Sequence, residues 1–153
     1  MEKIDRFRGE YEFLSNFYPV EIRFGGIVYQ NAEAAFQAQK CTDPAAREAF
    51  KDLTGAQAKQ KGRRAALRPD WEAVKPEIMR DVLYAKFTQN PALAKALLDT
   101  GDTPLVEGNT WRDYYWGVDL RTGRGQNHLG RLLCELREEL RKNGLPAPEE
   151  TAG

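Results

Sequence analysis

Five times between residues 31 and 127, a helix-capping residue stands directly ahead of a segment that reads as a helix: Asn31, Asp43, Thr54, Asn90 and Asn127. Short polar side chains at that position accept a hydrogen bond from an otherwise orphaned N–H of the first turn. Asn31 opens an Ala-rich stretch ending at Lys40. Asp43-Pro44 starts a helix with Ala46, Phe50 and Leu53 on one face. Thr54-Gly55-Ala56-Gln57 reads as a capping box for a polar helix ending near Gly62, followed by a basic connector holding Arg63, Arg64 and Arg68. Asp70 can cap Trp71 onward, but Pro76 would kink an early helix, so the regular part is expected to begin there. Its apolar face is Ile78, Met79, Val82, Leu83, Ala85 and Phe87. Asn90-Pro91 opens a helix with Leu93, Leu97 and Leu98, closed by Gly101. Asn127 caps a last amphipathic helix with Leu129, Leu132, Leu133, Leu136 and Leu140 inside.

Strand signals are few. Val20 to Phe24 alternates, Gly25-Gly26 supplies a two-residue turn, and Ile27-Val28-Tyr29 returns, which predicts a hairpin. Residues Ile4 to Arg8 read as a short strand, and Phe13 to Pro19 as a loop with exposed aromatics. At 153 residues the chain is most simply one domain over 1–143, with a frayed tail at 144–153.

The first capped stretch carries the chemistry. At 100° per residue, Glu33, Gln37 and Lys40 fall within a stripe about 60° wide. Ala34, Ala35 and Ala38 lie opposite and allow close approach of a neighbouring helix. Read alone, the stretch is more readily a solvated surface helix with an exposed Glu and Lys.

Charge decides what to exclude. With 23 basic and 23 acidic residues, no global field draws the chain onto nucleic acid or membrane. No run approaches a membrane span, and Met1 to Arg6 lacks the apolar core of a signal peptide. Cys41 and Cys134 make no disulfide framework and fit a reducing cytosol, so a cytoplasmic location is expected. One histidine, His128, and two distant cysteines are too few for an ordinary zinc site, and nothing signals a cofactor.

Residues 101–126 lack periodicity yet crowd Glu107, Asn109, Trp111, Arg112, Asp113, Tyr114, Tyr115, Trp116, Gly117 and Asp119 together. A loop of this length in a compact domain is functional more often than idle. Trp116 and Tyr115 offer flat faces to a heteroaromatic ring, although a self-packed loop reads the same way. Gly123-x-Gly125 has His128 where a dinucleotide fingerprint needs glycine. What survives is glycines with Arg124 ahead of a helix N-terminus, able to face an anion, or simply a flexible lead into a cap.

Phe13-Leu14-Ser15-Asn16-Phe17 is followed by Glu33…Phe36-Gln37-Ala38-Gln39-Lys40, then Trp71-Glu72-x-Val74-Lys75. Leu105-Val106-Glu107…Asp113-x-x-Trp116-Gly117 then leads to Gly125-x-Asn127-x-Leu129-Gly130. In this order and spacing, over roughly residues 4 to 140, they resemble the NADAR family with its YbiA-like members. The resemblance implies a mainly α (α+β) fold: a single helical domain with a small antiparallel hairpin sheet. It also implies N-glycosidase chemistry on ribosylated, phosphate-bearing small molecules. Two activities are associated with the family: hydrolysis of early riboflavin-pathway ribosylamine phosphates, and removal of ADP-ribose from modified guanine bases; whether ADP-ribosylated nucleic acid is a substrate stays open. By this likeness Glu33 and Lys40 match the catalytic helix, Trp71 and Trp116 the pocket aromatics, and Asp113 a further active-site acid. Members with His and Tyr directly after the acid differ from this chain, which has Ala34 and Ala35; the substrate subclass stays open.

Breaking a ribosyl C–N bond builds positive charge on the sugar and requires the departing nitrogen to be protonated. Glu33 is the candidate acid/base. Lys40 is a candidate for Schiff-base attack, which needs a neutral amine that burial favours and an ionised Glu33 opposes. Asp113 would orient a ribose hydroxyl or water. Ser15, Asn16, Phe17, Gln37, Glu107, Gly117, Arg124 and Asn127 complete the expected substrate contacts, while His128 is expected to be exposed and incidental. A non-catalytic ADP-ribose-binding module would have no use for Glu33 with Lys40. A protein-interaction domain would place Trp116 and Tyr115 on an exposed apolar patch.

Overall fold

A computed structural model describes residues 3–144. The chain divides into two compact units: residues up to Ser15 together with those from Phe87 on, and Asn16 to Lys86. Apart from Gly144, which ends the last helix, the expected tail lies outside the described residues.

The Asn16–Lys86 unit starts with the predicted hairpin. Strands β1 (Ile22–Phe24) and β2 (Ile27–Tyr29) pair antiparallel, Ile22 opposite Tyr29. Gly25 and Gly26 have φ of 58° and 85°, as a type I′ turn demands. Helix α1 (Ala32–Ala38) follows, its N-terminus fixed by the Asn31 side chain, which accepts from the Ala34 N–H at 2.7 Å. The same side chain donates to the Leu53 carbonyl at 2.9 Å. Every residue of α1 is buried, so the solvated-helix reading is overturned. α1 packs on helix α3 (Gly55–Arg64), whose buried residues are Gly55, Ala58 and Gly62. The approach is close: a Cβ on Gly62 would strike the Gln37 side chain.

Three boundaries differ from expectation. Helix α2 (Pro44–Glu48) stops before Phe50 and Leu53, because the amides of Phe50, Lys51 and Leu53 each bond three residues back rather than four. These tight turns still bury Phe50. The Thr54–Gln57 capping box is present, but α3 runs to Arg64, absorbing two of the expected connector arginines. Helix α4 (Trp71–Thr88) begins well ahead of Pro76. Pro76 sits in the second turn and costs the helix one bond, to the Glu72 carbonyl, while the first turn is anchored ahead of it. The Ala73 and Val74 amides both reach the Asp70 carbonyl, and Asp70's carboxylate is held by Arg68 Nε at 2.6 Å.

In the other unit, Gly9–Leu14 form a 3-10 helix that buries Phe13 and Leu14, where exposed loop aromatics were expected. Ile4 makes a single parallel bridge to Leu105, not a strand through Arg8; only one register position of that segment finds a partner. Helix α5 (Pro91–Asp99) buries Ala94 and Leu97, and Gly101 follows with φ 65°. The aperiodic stretch contains two short strands, β3 (Gly108–Asn109) and β4 (Val118–Asp119), which pair parallel. Strands of two residues leave no alternation to read. Helix α6 (His128–Asn143) packs on α5 and buries Leu129, Leu133, Leu136 and Leu140, with Leu132 half-buried. Among the described residues, no helix is long and apolar enough to cross a membrane.

Candidate active site

Within the Asn16–Lys86 unit the polar stripe of α1 is real and buried. Glu33 is 8% exposed, and its Oε1 accepts from Gln37 Nε2 at 2.9 Å. The Glu33 backbone N–H donates to the Asn16 carbonyl at 2.9 Å, so the loop ahead of the hairpin is tied to the first turn of α1. Asn16 is buried and donates to Met79 Sδ at 3.4 Å; its Oδ1 has no hydrogen-bond partner among the described residues. A buried acceptor without a donor is rare in proteins, and at a cleft it suits a ligand hydroxyl or amine. Phe17 is exposed, its ring lying over Gly55.

Lys40 lies just past the last turn of α1, half-buried, with Nζ 3.2 Å from the Gly62 carbonyl and 5.8 Å from the centre of the Trp71 ring. Trp71, itself buried, sits 5.1 Å from Phe36. Burial pulls the Lys40 ammonium below its ordinary range. Glu33 works the other way, while Lys75 and Arg63 add to the lowering. Desolvation is the largest of these effects, so the net shift of the Lys40 ammonium is downward despite Glu33.

A second buried amine had no sequence signal. Lys86, on α4, is fully buried with Nζ 5.8 Å from the Tyr18 ring, and burial pushes its pKa down to about 7.

In the other unit, Asn109 ties the acidic loop together. Buried, it donates to Glu107 Oε2 and to the Asp113 carbonyl, both at 3.0 Å, and accepts the Asp113 N–H at 3.1 Å. Its sequence signal, an amide two residues after one acid and four before another, is visible but not interpretable alone. Asp113 Oδ1 accepts from the Tyr115 and Trp116 amides at 3.2 and 2.9 Å, so one carboxylate oxygen shapes the turn that carries Trp116. Gly117 is buried against Glu107, whose carboxylate leaves no room for a Cβ.

Asn127 occupies the N-cap position of α6 without capping it. Its φ is 52°, and its side chain bridges outward, accepting the Glu107 N–H and donating to the Leu105 carbonyl, both at 3.0 Å. The left-handed backbone turns the amide away from the first-turn N–H groups. The amides leading into α6 are satisfied elsewhere: Gln126, Asn127, His128 and Leu129 donate to the carbonyls of Tyr114, Gly117, Tyr115 and Trp116. The Gly123 amide bonds the Asp119 carbonyl and the Arg124 amide bonds Thr122 Oγ1. Two amides of the expected anion cradle, those of Gly123 and Arg124, are therefore already bonded within the protein, while the Arg124 side chain is exposed. His128 is half-buried rather than exposed, 4.4 Å from the Tyr115 ring. Tyr115 and Trp116, also half-buried, stack edge-to-face at 4.7 Å and do not form an exposed patch. Ser15 is half-buried after the 3-10 helix, its amide bonded to the Glu12 carbonyl.

The NADAR domain model matches residues 5–141. The chain is 41% identical over 134 residues to N-glycosidase YbiA of Escherichia coli, covering 86% of this chain and 82% of that one. An N-glycosidase of Nostoc punctiforme is 35% identical over 137 residues, with 86% of each chain covered. A riboflavin biosynthesis protein of Vibrio vulnificus is 40% identical over 134 residues; the match takes 86% of this chain but 36% of that longer protein. The solution structure of E. coli YbiA superposes with a TM-score of 0.82 at 37% identity, over 99% of this chain and 93% of that one.

Proposed function

Because this chain belongs to the NADAR domain family, we infer that it is an N-glycosidase, a hydrolase of the bond between a ribosyl carbon and a base nitrogen. We propose a phosphorylated ribosylamino-pyrimidine as its substrate. Two kinds of relative support this reading: those named N-glycosidase, and those named for riboflavin biosynthesis.

The observation that carries the mechanism is the buried stripe of α1. Glu33 sits there against Gln37, while burial lowers the pKa of Lys40, whose Nζ lies 5.8 Å from the centre of the Trp71 ring. In the hydrolysis, the anomeric C–N bond breaks as the Glu33 carboxyl gives its proton to the leaving nitrogen. A water oxygen then bonds the anomeric carbon and returns a proton to Glu33. Lys40 supplies the covalent variant: Nζ bonds the anomeric carbon as the base departs, the sugar opens to a Schiff base, and water cleaves it. Asn16 Oδ1 accepts from a substrate hydroxyl or amine. Trp71, beside Lys40, holds the base.

The test is to incubate the protein separately with a pyrimidine ribosylamine phosphate and with ADP-ribosylated guanosine, following released base by mass spectrometry. Release from the first and not the second is expected. Glu33→Gln should lower the rate by ~10²–10⁴; a folded variant within about threefold of wild type would remove Glu33 from the chemistry. Borohydride added during turnover should trap the sugar on Lys40.

A further inference from the structure

A cavity of about 560 Å³ opens beside α2 and α3, and none of Glu33, Gln37, Lys40 or Trp71 lines it. Its size is that of a small-molecule site. One side is apolar, formed by Ala49, Phe50 and Leu53; the other carries Gln60, Lys61 and Arg64. The division follows from α3 itself. Gly55, Ala58 and Gly62 are spent on the approach to α1, and the residues at 60, 61 and 64 fall on another face.

Charge singles this cavity out. The chain is neutral overall, yet α3 holds Lys59, Lys61, Arg63 and Arg64 with no acid. No carboxylate lines the cavity. Neither Lys61 nor Arg64 has an ion-pair partner among the described residues, unlike Lys51, Arg68, Lys75, Lys95 and Arg141. Lys61 lies 5.5 Å from the centre of the Phe50 ring, a contact that leaves its N–H donors available.

We propose that this cavity is a second binding site, separate from the Glu33 stripe, for a phosphomonoester carried on a flat heterocycle, as in a nucleoside monophosphate. Two unpaired cations match a phosphate dianion, and Arg64 presents the fork that grips phosphate in pairs of hydrogen bonds. The apolar side takes the ring, and Gln60 offers both a donor and an acceptor to its edge. Inorganic phosphate leaves the apolar side unused, and an uncharged nucleoside leaves the cations unused.

The experiment is equilibrium dialysis of the full chain against adenosine monophosphate, adenosine and inorganic phosphate in turn. Two variants accompany the wild type: Lys61→Glu with Arg64→Glu, and Ala49→Trp, which fills the cavity from an exposed position. Circular dichroism checks that both fold. The expected result is binding of adenosine monophosphate more tightly than of either fragment, weakened about tenfold or more in each variant. Three results overturn the proposal: no binding of adenosine monophosphate at millimolar concentration, equal affinity of wild type and both variants, or adenosine binding as tightly as its phosphate.

Discussion

Replacing the buried Lys86 by methionine should change how stability depends on pH. The amine is fully buried on α4, and desolvation brings it from 10.5 to about 7. Between those values the unfolded chain binds a proton that the folded chain does not, so folding stability rises with pH across that window. At 1.36 kcal/mol per pK unit the full penalty is about 5 kcal/mol, and about 2 kcal/mol of it disappears between pH 7 and pH 9. Methionine has similar length and no charge. Its substitution also deletes the contact with Tyr18, but that contribution adds an offset, and the proton linkage supplies the slope. Urea unfolding of wild type and Lys86→Met, at one ionic strength and several pH values, separates the two. The stability of the variant minus that of wild type should fall by about 2 kcal/mol from pH 7 to 9. A difference flat to within about 0.5 kcal/mol over that range would mean the amine is not held neutral, and the desolvation argument would fail.

Gly117→Ala should cost about 1–3 kcal/mol and lower kcat/KM, because the new methyl lands on the Glu107 carboxylate and crowds Asn109; thermal unfolding and steady-state rates check both. Asn31→Ala should destabilise by about 1 kcal/mol or more through loss of the cap and of the bond to Leu53. Asn31→Asp, which keeps the acceptor but not the donor, should fall between the two in urea unfolding.

Local signals were legible where one short segment holds the whole instruction. The Gly25-Gly26 turn, the Asn31 cap and the Thr54–Gln57 box each appear as expected. The pairing of Glu33 with Gln37 was legible for the same reason, one helix turn setting it, whereas Lys40 falls on the tight turn that ends α1. What escaped depends on distant partners. Asn127 reads as a cap, yet its left-handed backbone sends the side chain to Leu105 and Glu107, some twenty residues away. Pro76 reads as a helix start because local rules ignore a buried Trp71 anchoring the preceding turn. Lys86 gives no hint of burial, since lysine is almost never fully enclosed. Asn109 would have needed the fold of its loop to be known before its bonds to residues 107 and 113 could be recognised.

The amides that open α6 end on the carbonyls of residues 114–117, and this restricts how that turn can move. Were that turn to swing aside, several peptide N–H groups would lose their acceptors at once, at roughly 1–3 kcal/mol for each one left dry. The segment bearing Asp113 and Trp116 is thus welded to the start of the terminal helix, and the two unzip together or not at all.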